Sequence, residues 1–191
     1  ADDPDFSTGD GVCDTNDGVG DGPCTLRAAI EQANASAGAD VVEFDIPGSA
    51  PHVVQPTSRL PFITEAVTID GTTEPDFAGT PVVELDGLLA GTPGDLNGLQ
   101  VTAGGNAAFR GLAVYRFDQS GIYLGFAGGN IVEGCFLVTN GAGAAGLGNG
   151  NTGVALWTCS NNLIGGTTTL ARNVASGNPG GLRIVAEGLG V

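Results

Sequence analysis

One short phrase recurs through the second half of the chain and sets the strongest limit on its fold. It reads glycine, apolar, variable, apolar, and its four copies begin at Gly98, Gly121, Gly153 and Gly181. Apolar side chains at every second position predict a β-strand that turns both of them to one face. The copies recur about once every 23 to 32 residues, so the chain returns to the same structural position with each repeat.

A second set of strand phrases alternates with the first and indicates how one repeat closes. It occupies residues 109–112, 131–134 and 163–166. One repeat therefore carries at least two short strands, and stacked repeats of this kind form a parallel β-helix. We predict an all-β solenoid, a parallel β-helix, as one continuous domain over residues 41–191. Residues 1–40 form a separate N-terminal segment.

Three earlier strand phrases, between residues 41 and 86, end in aspartate. The aspartates are Asp45, Asp70 and Asp86. The alternation turns Glu84 outward, away from the core. Three carboxylates stacked directly would repel each other. The neighbouring glycines favour turns that spread the carboxylates apart, and a cation between them is the alternative.

The first 24 residues are rich in aspartate and glycine and poor in apolar side chains. Oxygen ligands separated by glycines suit Ca²⁺, which gives a candidate metal site with one possible cofactor, calcium. Its residues are Asp10, Asp14, Asn16, Asp17 and Asp21. The alternative is a solvated acidic loop, because the spacing does not match an EF-hand.

Two cysteines, Cys13 and Cys24, enclose this acidic loop. No further cysteine or histidine lies nearby in the sequence. In a chain with the features of a secreted protein, this arrangement favours a disulfide over a metal-binding pair.

A short amphipathic helix is predicted directly after the loop. Thr25 suits the N-cap position. The apolar residues that follow have helical spacing and are Leu26, Ala29, Ile30 and Ala33. The open first coil of a solenoid needs a cover over its strand edges, so we expect this helix to cap it. Arg27 and Glu31, four residues apart, predict an ion pair on the helix surface.

These residues also carry a family resemblance. The N-terminal segment resembles the CSLREA domain, a module of secreted bacterial β-helix proteins, through Cys13-Asp14-Thr15 and Cys24-Thr25-Leu26-Arg27-Ala28-Ala29-Ile30. Thr25 and Ala28 stand where the family motif has serine and glutamate. Residues 162–178 are similar to the right-handed parallel β-helix repeats of large bacterial surface proteins. The resemblance implies a right-handed solenoid at the cell surface, a fold that serves enzymes, adhesins and structural proteins alike.

Cys135 departs from the repeat pattern, because β-helix repeats of this kind usually carry asparagine at its position. The register of the repeats places Cys159 over Ala127 rather than over Cys135. A disulfide across a turn and two free thiols both remain open for this pair of cysteines.

Charge excludes several classes of partner. The net charge is −15, and all six basic residues are arginine. Residues 1–100 have a net charge of −16, whereas residues 101–191 have +1. We therefore expect neither nucleic acid nor an anionic membrane as a partner.

No apolar run is long enough to span a membrane, and a start without methionine fits a mature secreted protein or a trimmed chain.

Candidate ligand-binding residues lie in the regular repeats. Arg110 and Arg116 are near acidic residues in the sequence and suit either a charged cleft or surface ion pairs. Tyr123 and Trp157 are predicted to face outward, as a platform for sugars or as packing against neighbouring coils. The single histidine, His52, lies in a proline-rich loop and is interpreted as structural. No residue is assigned a catalytic role.

Two functions remain open from the sequence. The first is an extracellular structural or adhesive module. It would associate end to end with itself into a surface polymer or continue into further coils, because the last strand phrase has no amphipathic cap. The second is a carbohydrate-active protein that binds or cleaves an acidic polysaccharide.

Overall fold

The computed structural model describes residues 2–16, 22–91, 94–137 and 147–186. Within these residues the chain has one α-helix, α1 (Leu26–Ala35), and twelve short strands. The strands are β1 (Asp40–Glu43), β2 (His52–Val54), β3 (Val67–Asp70), β4 (Val83–Asp86), β5 (Leu99–Val101), β6 (Ala108–Arg110), β7 (Leu112–Tyr115), β8 (Ser120–Gly125), β9 (Ile131–Glu133), β10 (Thr152–Trp157), β11 (Leu163–Ile164) and β12 (Gly180–Val185).

The strands form three parallel sheets. Sheet 1 has the order β1-β3-β6-β9-β11, sheet 2 has β2-β4-β7, and sheet 3 has β5-β8-β10-β12. Isolated parallel bridges extend sheet 2 through Phe136 and Val174 and sheet 3 through Ile63. The chain therefore visits sheets 1, 2 and 3 in turn and repeats this path in about five coils. This arrangement confirms the predicted parallel β-helix and adds the third sheet, which the repeat phrases did not predict.

The four repeated phrases all lie in sheet 3 and align in register. One column faces the core and consists of Leu99, Ile122, Val154 and Leu182. The neighbouring column faces outward and consists of Gln100, Tyr123, Ala155 and Arg183. The core-facing side chains of the first three strands are buried, so the alternation read from the sequence is confirmed.

Helix α1 packs onto the first coil, as predicted. The Thr25 hydroxyl accepts the backbone N–H of Ala28 at 3.1 Å, which caps the helix. Ile30 and Ala33 belong to the same buried cluster as Phe44, which follows β1. The apolar stripe of the helix therefore covers the open end of the solenoid core.

Arg27 attaches α1 to its surroundings through contacts that the sequence did not indicate. Its guanidinium forms an ion pair with Asp2 at 3.0 Å and donates to the carbonyl of Arg59 at 2.8 Å. Glu31 accepts the backbone N–H of Asp5 at 2.8 Å. The predicted Arg27–Glu31 pair is thus wrong, because both side chains reach other segments of the chain.

The aspartates that end the early strands do not stack on one another. Asp70 ends β3 in sheet 1, and Asp86 ends β4 in sheet 2. Each accepts a backbone N–H from the short 3₁₀ helix that follows it, Gly71–Thr73 or Gly87–Leu89. The carboxylates of Asp70 and Asp86 are therefore kept apart, as expected, but because their strands belong to different sheets rather than because of the turns.

The two remaining cysteines are free. Cys135 is buried and Cys159 is half-buried. Burial raises the pKa of the Cys135 thiol to about 12, so this thiol stays protonated near neutral pH. Of the two alternatives left open by the sequence, the structure shows free thiols.

Candidate functional site

The disulfide of the N-terminal segment is present. Cys13 and Cys24 are bonded, with their Cα atoms 5.2 Å apart, which confirms the predicted pair. The bond closes the acidic loop and ends two residues before α1 begins. It therefore ties a segment with little core of its own to the helix that caps the solenoid.

The structure describes three of the five predicted calcium ligands. Asp10, Asp14 and Asn16 are among the described residues, whereas Asp17 and Asp21 lie outside them. An oxygen of Asp10 and one of Asp14 each accept a backbone N–H two residues further on, at 2.9 and 3.2 Å. Within the described ranges, these residues belong to no group of three side chains positioned to share a metal ion. Calcium binding here stays a prediction.

The structure does not bring Arg110 and Arg116 together. Arg110 ends β6 in sheet 1, where its Nε donates to Glu133 at 2.6 Å. Arg116 follows β7 of sheet 2, where its Nε donates to Asp86 at 2.7 Å and its Nη2 reaches the second oxygen of the same carboxylate. Each guanidinium is thus engaged in an ion pair on a different face of the solenoid.

The Arg116 pair has consequences for its chemistry. The hydrogen bond to Asp86 raises the pKa of Arg116. Burial acts to raise the pKa of Asp86, but the hydrogen bonds from Arg116, Leu88 and Gln55 hold it below its ordinary value. Both groups therefore stay charged. An arginine held this firmly as a cation is unsuited to act as a general base.

Glu84, which was expected to face solvent, is buried. The hydroxyl of Tyr115 donates to its carboxylate at 2.7 Å, and the Tyr115 ring lies 5.5 Å from the guanidinium carbon of Arg116. The expectation was wrong because it followed strand alternation alone. A tyrosine on the next strand covers the outward-facing carboxylate.

The two predicted aromatic residues, in contrast, are brought to one place on sheet 3. Tyr123 lies in β8, and Trp157 ends the adjacent strand β10 in register with Gly125. A Cβ atom on Gly125 would collide with the Tyr123 ring, so that ring leans over Gly125 toward Trp157. The guanidinium of Arg183 in β12 lies 5.7 Å from the Trp157 ring. Three adjacent strands thus present a tyrosine, a tryptophan and an arginine.

These side chains line a shallow cleft of about 150 Å³ on the outer face of sheet 3, called here the sheet 3 cleft. Its polar lining is Asp95, Asn97, Gln119, Ser120 and Asn151. Asn97 donates to Gln100 at 3.0 Å, and Asn151 donates to Gln119 at 3.3 Å. Amide groups offer both donors and acceptors. The cleft therefore combines aromatic faces with amide and hydroxyl groups.

Sequence reasoning found the aromatic residues of the cleft but missed Arg183 and the amides. A signal for them existed. Arg183 stands at the variable position of the fourth repeated phrase, in register with Tyr123. Asn97, Gln119 and Asn151 each precede a repeated phrase by one or two residues. Residues at equivalent repeat positions converge because the coils stack in register.

A second cluster was also missed. His52 begins β2, and its side chain is buried beside Glu74 and Asp76. Among the residues that the structure describes, these three form the one group whose His, Cys, Asp or Glu ligand atoms lie within 4.8 Å of one another. The two acids stand more than 20 residues beyond the histidine, so local spacing gave no signal.

Comparison with known proteins leaves the resemblance untested. No protein-family model matches the chain, and no curated protein matches it. The likeness of the N-terminal segment to the CSLREA domain therefore stays a prediction that rests on the residues quoted above. None of the helices in the described ranges has the length and apolar character needed to cross a membrane.

Proposed function

We propose that this protein is an extracellular adhesive module that binds a polysaccharide along the outer face of sheet 3. The observation that carries the proposal is the convergence of Tyr123, Trp157 and Arg183 on one cleft. Tyr123 and Trp157 are half-buried, and aromatic side chains already held on a rigid sheet bind with little further loss of conformational entropy. The solenoid scaffold serves as the support that fixes their spacing.

The chemistry of the cleft fits a chain of sugars. The rings of Tyr123 and Trp157 offer apolar faces to the C–H groups of a pyranose. Gln119 and Asn151, both half-buried, lie beside them with amide groups that can exchange hydrogen bonds with hydroxyl groups. The Asn97 amide is buried and already bonded to Gln100 and Ser120, so it shapes the cleft rather than contacting a ligand. A few directional polar groups beside aromatic surface are typical of a small-molecule site.

Charge favours an acidic sugar within this class. Among the described residues, Arg183 is the one cation that lines the cleft, and its side chain is exposed. Asp95, the acid of the lining, forms an ion pair with Arg59 at 3.3 Å. The strongly negative half of the chain, residues 1–100, contributes the earlier coils, whereas residues 101–191 carry a net charge of +1. Arg183 therefore supplies the attraction for a uronic acid carboxylate.

The disulfide supports an extracellular location for this function. Structural disulfides such as Cys13–Cys24 persist mainly in oxidising compartments. A polysaccharide ligand would be met outside the cell. An adhesive role thus agrees with both the cysteine chemistry and the cleft.

Affinity measurements with a matched pair of variants test the proposal. Polygalacturonate, alginate and a neutral glucan serve as probes for the wild type, Trp157→Ala and Phe126→Ala. Phe126 is a highly exposed aromatic residue that does not line the cleft. We expect Trp157→Ala to weaken binding about tenfold, or about 1.4 kcal/mol, and Phe126→Ala to leave it unchanged. Equal losses, or no binding by the wild type, would contradict the proposal.

A second variant tests the preference for acidic sugars. Arg183→Gln keeps hydrogen-bonding ability at the site but removes the charge. We expect it to weaken binding of polygalacturonate and alginate at low salt and to spare any binding of the glucan. A uniform effect on all three polymers would exclude charge recognition while leaving the aromatic platform in place.

A second candidate function is self-association through the last described coil. Leu182 and Ile184 of β12 are 51% and 67% exposed, whereas Val154 and Leu156, their register partners in β10, are 2% and 7% exposed. Apolar side chains with strand edges beside them favour addition of another strand layer. Because α1 covers the opposite end, the contact would join two copies through these ends.

Sedimentation over a range of concentrations tests this second candidate. The double variant Leu182→Gln/Ile184→Gln is expected to remain monomeric where the wild type dimerises. Leu88→Gln, which changes an equally exposed leucine elsewhere, is the control and should behave as the wild type. A wild type that stays monomeric at high concentration would contradict self-association and favour further coils of the same solenoid as the cover.

A further inference from the structure

His52 is the starting point, because its ring nitrogen is buried without a hydrogen bond. Its side chain is 4% exposed. Its Nε2 atom is buried and has no hydrogen-bond partner. A buried polar atom without a partner is costly and calls for a specific explanation. This nitrogen points at two carboxylates, Glu74 and Asp76.

The distances around Nε2 match the edges of a metal-coordination tetrahedron. Nε2 lies 3.5 Å from Oε1 of Glu74 and 3.5 Å from Oδ2 of Asp76. Zinc binds imidazole nitrogen and carboxylate oxygen at about 2.0 to 2.2 Å in tetrahedral geometry. Neighbouring ligand atoms in such a site are therefore roughly 3.3 to 3.6 Å apart, a separation that follows from those bond lengths. All three ligand atoms lie within 4.8 Å of one another, and the partly exposed Asp76 side chain can adjust to close the third edge around an ion.

The carboxylates are held in place by further contacts. The second oxygen of Glu74, Oε2, accepts the backbone N–H of Ile46 at 3.0 Å. Asp76 accepts the backbone N–H of Ala50 at 3.0 Å. Hydrogen bonds of this kind orient metal ligands and tune their affinity. The side chain of Asp76 is 46% exposed, which leaves an opening for the ion and for a water as fourth ligand.

We propose that His52, Glu74 and Asp76 form a binding site for Zn²⁺ or a similar late first-row divalent ion. The mixed nitrogen and oxygen donors favour such ions. Ca²⁺ requires six to eight oxygen ligands and is not suited to the site. The competing explanation is a protonated histidine that forms ion pairs with both carboxylates and binds no metal.

The bound ion would join two successive coils of the solenoid. His52 begins β2 in the first coil, and Glu74 and Asp76 lie in the loop between β3 and β4 in the second coil. A ligand that binds only the folded state stabilises it by mass action. The ion would thus stabilise the acidic N-terminal half through residues that do not line the sheet 3 cleft. This site is independent of the proposed polysaccharide binding.

Thermal unfolding with the metal alone tests the site. The protein is treated with a chelator, dialysed, and unfolded with and without Zn²⁺ at about 100 times its dissociation constant. We expect Tm to rise by about 5 to 10 °C, with a stoichiometry of one by calorimetry. Ca²⁺ in place of Zn²⁺ should not raise Tm through this site, because it lacks the oxygen ligands that Ca²⁺ requires. His52→Gln and Asp76→Asn should each abolish the rise, whereas Asp95→Asn, an exposed acid elsewhere, should keep it.

A second variant and a spectroscopic probe keep the test conclusive if one variant fails to fold or if the metal binds elsewhere. Asp76 is partly exposed, so Asp76→Asn decides the question where His52→Gln fails to fold. Co²⁺ replaces Zn²⁺ as a spectroscopic probe, and sulfur-to-cobalt charge-transfer bands would reveal binding to the free thiols instead. An unchanged Tm with Zn²⁺, a rise that persists in Asp76→Asn, or cobalt–thiolate bands would each overturn the proposal.

Discussion

The backbone N–H of Cys135 donates to Oδ1 of Asn173 in the next coil at 2.9 Å. Asn130 makes the same contact to Asn162, also at 2.9 Å, at another corner of the solenoid. Both pairs stack one residue directly over its equivalent in the following coil. Cys135 therefore occupies a step of an asparagine ladder, as the comparison with β-helix repeats suggested.

Replacing Cys135 with asparagine is expected to complete this ladder and stabilise the protein. Asn173 donates its amide to the Val132 carbonyl at 2.7 Å. The equivalent acceptor one coil earlier is Phe109, whose carbonyl lies 3.5 Å from the Cys135 sulfur. An asparagine amide would replace this weak sulfur contact with a full hydrogen bond. We expect Cys135→Asn to raise the free energy of unfolding by about 1 kcal/mol, measured by urea denaturation.

The reverse exchange provides the control. Asn173→Cys removes the bonds to Cys135 and Val132 and should lower stability by about 1 to 2 kcal/mol. If both exchanges destabilise equally, the ladder explanation is wrong and packing of the sulfur determines stability at Cys135.

Acid should weaken the ion pair between Asp86 and Arg116. The pKa of Asp86 lies below its ordinary value of 3.8, so the unfolded chain takes up the proton first as the pH falls. The contribution of Asp86 is then complete above about pH 4 and is lost as the pH falls through the native pKa. We expect Asp86→Asn to cost about 2 kcal/mol near pH 7 and progressively less as the pH falls below about 4, by urea denaturation at each pH.

Asp95→Asn is the matched control for this pH dependence. The Asp95 side chain is 81% exposed and pairs with Arg59 at 3.3 Å, and such surface pairs contribute little. The free energy of unfolding of Asp95→Asn should therefore equal that of the wild type at every pH. A constant deficit of Asp86→Asn from pH 7 to pH 3 would contradict a native pKa below the ordinary value.

The parallel β-helix could be predicted from the sequence because its strand phrases repeat. Four phrases with the same alternation align in sheet 3, and the second set aligns in sheet 1. Sheet 2 was harder to detect. Its later steps are single bridges at Phe136 and Val174 rather than strands, so they leave no run of alternating residues in the sequence.

Side-chain contacts were harder to predict from the sequence, because the partners come from neighbouring coils. Tyr123 and Trp157 could be predicted to face outward, but the contact with Arg183 depends on how three strands align. His52 looked isolated because Glu74 belongs to the next coil. Arg27 was assigned to Glu31 by helical spacing, while the fold offered it a partner outside the helix. Stacking creates contacts that no local window of sequence contains.

The disulfide is expected to contribute measurably to stability. Cys13 and Cys24 are 11 residues apart in sequence, and closing a loop of this size stabilises by roughly 3 kcal/mol in the chain-entropy model. We expect Cys13→Ser/Cys24→Ser to lose about this amount in urea denaturation. Cys159→Ser changes a free, half-buried thiol and should cost less. Similar losses in both variants would show that the bond does not constrain the unfolded chain as expected.

Gly125 is expected to control the shape of the sheet 3 cleft. A Cβ atom at this position meets the Tyr123 ring, which must then rotate away from its place beside Trp157. The ring is the end of a flexible side chain, so the free energy of unfolding should change by less than about 1 kcal/mol, within the ordinary range for surface positions. We therefore expect Gly125→Ala to weaken polygalacturonate binding severalfold at nearly unchanged Tm, measured by calorimetry and thermal unfolding. Tyr123→Ala should bind at least as weakly, and adding Gly125→Ala to it should have no further effect, because the ring that the new methyl group displaces is then absent. Full affinity in Gly125→Ala would show that the Tyr123 ring takes no part in binding.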